Sequence, residues 1–318
     1  MKGNLVQTEG SKYLTQQKYS EAITFYKQGI KSEPSLMSNY WYLCLALLLQ
    51  GQELEARDIW LSVIEKADIE QVNTWTQQLV TILTTEAIRR ETSSDFELAS
   101  KMHGYATIAR GEAWKKVKEY QFTTDWFTEN LPIWERYLKP LANKPLINVL
   151  EIGSWEGMST CWLLDNILTH ESSRINCIDT FEGNEGSVDP EVEYDDSYLK
   201  SVEKRFDFNI SKTGASEKVT KIMGRSENVL RSLPLNNYDL LYIDGSHLAS
   251  DVLTDTVLGW GLVKVGGLII FDDYDFQIST SVGIQNTKIA IDAFIKIFSH
   301  KINVMHKAHQ VIIEKTLN

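Results

Sequence analysis

Two kinds of hydrophobic spacing divide the chain. Up to about residue 145 the apolar positions recur with the helical period and few turn residues interrupt them. Beyond it, short Val/Ile/Leu runs alternate with amphipathic segments, the pattern of a parallel sheet with crossover helices. Glycine and aspartate follow the same divide: six glycines and four aspartates precede residue 146, while twelve and fourteen follow it, which puts the change of class at Pro140 and Pro145. Three segments result: a helical domain over 1–92, a helical connector or cleft-lining piece over 93–145, and an α/β domain over 146–318.

In the α/β part, strands are predicted at 146–152, 175–179, 219–223, 238–243 and 268–271, with helical segments between them. Two closing strands follow at 302–306 and 310–313, and so short a link joins only an antiparallel pair. Ahead of the sheet, the aromatic-rich segment 124–137, with Trp126, Phe127, Trp134 and Tyr137, is expected to pack on the sheet edge or to roof its cleft.

The helical part repeats itself every 34 residues. Gly10, Tyr13, Ala22, Tyr26, Gly29 and Pro34 are followed one period later by Cys44, Leu47, Ala56, Trp60, Val63 and Asp68, the same order of small and large residues with only the final proline missing. Small side chains let two antiparallel helices approach closely, and the aromatics fill the groove beside them. This pattern resembles the tetratricopeptide repeat. Two repeats leave a face uncovered, so the helix over 69–90 is expected to cap the stack.

A net charge of -11, from 32 basic and 43 acidic residues with no local basic stripe, argues against a nucleic-acid partner. The three cysteines, Cys44, Cys161 and Cys177, sit among apolar residues without ligand spacing, so no zinc site or disulfide framework is expected. The longest apolar stretch, 41–49, falls far short of the ~20 residues of a membrane span. With no signal-like N-terminus, the expected location is the cytoplasm, away from membranes.

The chemistry concentrates at predicted strand ends. The run from Glu151 through Gly153 and Gly157 to Ser159 follows the first strand and opens a helix, so its glycines permit a tight turn and close approach to a nucleotide-like ligand. Its spacing is not that of the dinucleotide fingerprint, which weakens a nicotinamide cofactor. Asp179 closes the second strand where an acid commonly accepts from ribose hydroxyls, and Ser226 follows the third, where a hydroxyl could border an adenine.

Two further runs, 238–247 and 266–274, are buried-strand patterns ending in Asp244 and in Asp272 and Asp273. Three carboxylates at adjacent strand ends need cations or donors, and a hard divalent cation such as Mg²⁺ satisfies them together. His247 would stand over the same cleft with a pKa suited to proton abstraction. His103, His170, His300, His306 and His309 are not grouped with acids at ligand spacing, and no function is assigned to them.

Taken together, EIGSWEGMS, CIDTFEG, YIDGSH, the D-V-L-x-D run and GGLIIFDDY resemble a class I S-adenosylmethionine-dependent methyltransferase, and within that class the metal-dependent macrocin-type O-methyltransferases. The resemblance spans about residues 120 to 315. It implies a Rossmann-like, seven-stranded, mostly parallel sheet. It further implies that Glu151, Gly153, Gly157 and Ser159 serve the methionine part of the cofactor, Asp179 the ribose and Ser226 the adenine. Asp244, Asp272 and Asp273 would hold Mg²⁺, and His247 and Asp244 would carry catalysis. Related proteins often have Glu-Asp where this chain has Asp272-Asp273, and the shorter first carboxylate bears on whether Asp272 coordinates directly.

The expected activity is methyl transfer to a hydroxyl of a small molecule, a natural product or sugar. The competing reading is a repeat-based interaction protein that binds S-adenosylmethionine or a nucleotide without turnover. For the N-terminal helices, carrier-protein recruitment, self-association into a homo-oligomer and shaping of the acceptor pocket stay open. The acidic segment 182–196, with Gly183, Gly186 and Pro190, is expected to form a lid that orders on cofactor binding.

Overall fold

A computed structural model of the protein describes residues 2–183, 196–280 and 283–318. Most of the expected lid, 184–195, lies outside the described residues. The chain forms two units, one of Met1–Glu119 with Thr128–Arg136, the other of Tyr120–Phe127 with Tyr137–Asn318.

The first unit is helical. Helices α1 (Lys2–Thr15), α2 (Tyr19–Ser32), α3 (Met37–Leu49) and α4 (Glu53–Ile64) are followed by the longer α5 (Ile69–Thr92) and α6 (Phe96–Val117). A Cβ at Gly10 would fall on the Tyr26 ring, and Trp41 packs edge-on against Trp60 at 5.5 Å. A capping box starts α5, with the Asp68 carboxylate accepting from the Gln71 N–H at 2.8 Å and the Gln71 side chain accepting from the Asp68 N–H. The segment read as one piece over 124–137 is divided. Residues 128–136 belong with the helices, where Glu129 pairs with Arg57 at 2.9 Å and Leu131 occupies the space left by Gly111. They include most of α7 (Leu131–Leu138). No helix among the described residues is long and apolar enough to cross a membrane.

The second unit is built on β1 (Asn148–Ile152), α8 (Met158–Asn166), β2 (Arg174–Asp179), α9 (Asp196–Thr213), β3 (Val219–Met223), α10 (Ser226–Val229), β4 (Tyr238–Ile243), α11 (Ala249–Trp260) and β5 (Val263–Phe271). A small hairpin, β6 (Gln277–Thr280) and β7 (Gly283–Asn286), then α12 (Thr287–Phe298), β8 (Ile302–Lys307) and β9 (Val311–Lys315) complete it. The seven-stranded sheet runs β3-β2-β1-β4-β5-β9-β8, all strands parallel but β9, which is antiparallel to both its neighbours β5 and β8. Residues 149–152 of β1, 240–243 of β4 and 267–271 of β5 are buried and largely apolar, as the central strands of a sheet covered on both faces require. Strand β5 begins five residues before the predicted one and continues through Gly266 and Gly267, and β6–β7 has no counterpart in the periodicity reading.

Strand order reverses between β1 and β4: from β1 the chain winds outward through β2 and β3, and from β4 through β5. Ligands of open α/β sheets bind outside the carboxyl ends of the strands at such a switch point. Both groups of candidate residues lie there.

Candidate functional site

The glycine turn sits directly on the switch point. Gly153 and Gly157 have φ of +84° and +81°, the left-handed region that glycine enters without strain. A Cβ at Gly153 would come to 1.9 Å from the Asp244 carbonyl oxygen, so only glycine lets the turn lie against the end of β4. Gly157 precedes the first turn of α8 and abuts Phe206.

Beneath the turn, Glu151 is fully buried and accepts from the hydroxyls of Ser154 at 2.8 Å, Ser159 at 2.6 Å and Thr160. Burial raises its pKa, and those three donors oppose the rise. Glu151 and Ser159, expected to serve the cofactor, thus spend their side chains on each other. Asp179 accepts from the backbone N–H groups of Ser154 at 2.7 Å, Trp155 at 2.8 Å and Phe181 at 2.7 Å, fastening the turn to the end of β2. Ser226 opens α10 and hydrogen-bonds Asp255 of α11, whose burial pushes its carboxyl up to about 7.

The acids cluster on the other side of the switch point. The Tyr242 hydroxyl donates to Asp244 at 2.8 Å and to Asp272. Asp272 also accepts from the Gln310 amide at 3.0 Å and from the Asp273 N–H at 2.9 Å. His247 Nε2 lies 2.8 Å from Asp273 Oδ2, yet neither ring nitrogen makes an aligned hydrogen bond, so the contact is a close charge pairing only when the ring is protonated. The ring also packs on Phe276 at 4.7 Å. Burial, and then the neighbouring acids, raise Asp244 well above the carboxylate range and bring Asp272 to about 6.

Among the described residues two groups have donor atoms within 4.8 Å of one another: Asp244, His247 and Asp273, and Asp272, Asp273 and His309. Mutually repelling carboxylates beside an imidazole with unaligned nitrogens form a donor set that suits a hard dication. Asp272 does not join Asp244 and His247; three protein donors already engage its oxygens, and it meets Asp273 and His309 instead.

Sequence reasoning missed His309, which lies 3.5 Å from Asp273 and 2.9 Å from Asp275, and Gln310, which holds Asp272. The signal was the antiparallel link: Phe271 pairs with Val311, so the residues just before β9 must lie beside those just after β5. It missed Glu156 too. That buried carboxylate accepts from the Thr123 N–H and from Arg205 Nε, both at 2.6 Å, and ties 120–127 to the turn.

Residues 150–274 match the family model described as a methyltransferase domain. This stretch of the chain is similar to a methyltransferase domain. It takes in the glycine turn, the ends of β2, β3 and β4, and the acids after β5. The curated likeness is narrow. The uncharacterized protein R132 of Acanthamoeba polyphaga mimivirus is 42% identical over 65 residues, 20% of this chain and 29% of that protein, so the match spans less than a third of that relative. Among solved structures, a Corynebacterium glutamicum protein is 17% identical, with 67% of this chain and 91% of that one covered and a TM-score of 0.44. The O-methyltransferase NovP is 21% identical, with 54% and 72% covered and a TM-score of 0.42.

Proposed function

We propose that the protein is an S-adenosylmethionine-dependent O-methyltransferase that methylates a hydroxyl of a small molecule, a natural product or sugar. One observation carries the reading: Asp244, His247 and Asp273 converge at the carboxyl ends of β4 and β5 while Gly153 of the cofactor turn lies against Asp244. A methyl donor on the turn and an acceptor at the acids would then be neighbours.

In this reading the backbone at Gly153 and Gly157 receives the methionine part of the cofactor, and Glu151 and Ser159 hold that turn from below. Asp179 meets the ribose with the lone pairs its backbone donors leave free, and Ser226 borders the adenine. Asp244 and Asp273 would hold Mg²⁺, with Asp272 orienting Asp273 through its N–H. Bound there, such an ion would supply Lewis acidity toward an acceptor hydroxyl. His247 takes the hydroxyl proton on a ring nitrogen as oxygen attacks the methyl carbon and the carbon–sulfur bond breaks. The helices over about 3–68 are read as two tetratricopeptide-like repeats offering a surface to a carrier protein or a second copy.

Calorimetric titration with S-adenosylhomocysteine and methyl transfer to a panel of diols and phenols, with and without Mg²⁺, test the reading. Binding without transfer to any acceptor favours an interaction protein. Binding of NAD but not of S-adenosylhomocysteine overturns the cofactor.

A further inference from the structure

Of the ten residues 151–160, eight are buried, and Gly153 and Trp155 are the two that are more accessible. Gly153 and Trp155 are therefore the residues of the turn most open to a ligand resting on it. Trp155 has φ +46°, a conformation glycine would adopt freely and a bulky residue enters only under constraint. The constraint is visible in the Trp155 N–H bond to Asp179.

Its ring has two aromatic neighbours, Trp126 at 6.0 Å and Tyr198 at 6.2 Å. Trp126 is 52% exposed, and Tyr198 already holds a cation, the Arg205 guanidinium, 4.5 Å from its ring centre.

The cofactor that the proposed function places here is a cation at sulfur before transfer and neutral there afterwards. The acids of the turn are engaged elsewhere: Glu151 by three hydroxyls, Glu156 by Thr123 and Arg205, and Asp179 by three backbone N–H groups. An aromatic face attracts a cation through its quadrupole, and tryptophan does so best. We infer that Trp155 is a specificity-determining residue that reads the charge of the cofactor, holding the sulfonium of S-adenosylmethionine and favouring release of the uncharged thioether. The inference rests on the cofactor reading above.

Calorimetry on the full chain with S-adenosylmethionine, S-adenosylhomocysteine and sinefungin, whose ammonium stands where the sulfonium does, tests it. Trp155→Gly suits the backbone, and Trp155→Leu keeps an apolar side chain without a face should glycine loosen the turn; circular dichroism reports folding for both. Each is expected to weaken the two charged ligands by about 3- to 30-fold relative to S-adenosylhomocysteine, with Trp155→Phe lying between them and the wild type. An equal loss for all three ligands, or an unchanged ratio in both folded variants, would overturn the inference alone. Failure of the wild type to bind any of the three would overturn the cofactor reading instead.

Discussion

Gly153 and Asp244 touch backbone to backbone across the switch point, where a Cβ on one would stand 1.9 Å from the carbonyl oxygen of the other. The contact joins the turn after β1 to the acid after β4. Gly153→Ala must both push these strands apart and hold alanine at φ +84°. We expect a loss of about 2–4 kcal/mol from overpacking and left-handed strain, read by denaturant unfolding, together with loss of S-adenosylhomocysteine binding.

His247→Ala and Asp244→Ala separate chemistry from cofactor binding. Each is expected to lower turnover by about 10²–10⁴-fold, the range of a positioned acid or base, with cofactor affinity nearly unchanged. Rates near wild type for both in metal-free buffer would remove the mechanism.

Carboxylates that repel one another should be stabilised by the ion they hold. Mg²⁺ at about 100 times its dissociation constant contributes roughly 2.7 kcal/mol to the wild type, measured as a rise in melting temperature of a few degrees. Asp273→Asn should lose most of that rise. Tyr242→Phe removes the hydroxyl shared by Asp244 and Asp272, and in chelator it should cost about 1–3 kcal/mol. A full Mg²⁺ response in Asp273→Asn would argue against ligation there.

Asp255 gives a pH dependence of definite sign. Burial lifts its carboxyl in the folded chain from 3.8 to about 7, so between those values the folded state holds a proton that the unfolded state has released. Stability therefore falls as pH rises through this window and stays lowered above it. Asp255→Asn removes the titration, and relative to the wild type it should gain about 2–4 kcal/mol at pH 8 and little at pH 4. Parallel pH–stability curves for the two proteins would exclude this role.

Much of this architecture was legible from spacing. Helical periodicity marked the first part as helical, and apolar runs with acidic ends marked the central strands. The acids after β4 and β5 share one sheet edge because parallel strands all end on the same side. The division of 124–137 was not legible, because an aromatic segment packs equally well on a helix face or a sheet edge.

The sequence alone determined the element types and the chemistry at strand ends, since both follow from periodicity and from residues close together along the chain. Tertiary structure decided which side chains satisfy each other. It turned Glu151 and Ser159 toward one another, gave the oxygens of Asp272 to Tyr242, Gln310 and the Asp273 N–H, and brought His309 to Asp273. The pairings of Asp272 with Tyr242 and Gln310 and of Asp273 with His309 depend on strand order and antiparallel register, which bring together residues dozens of positions apart, and no local pattern encodes that distance.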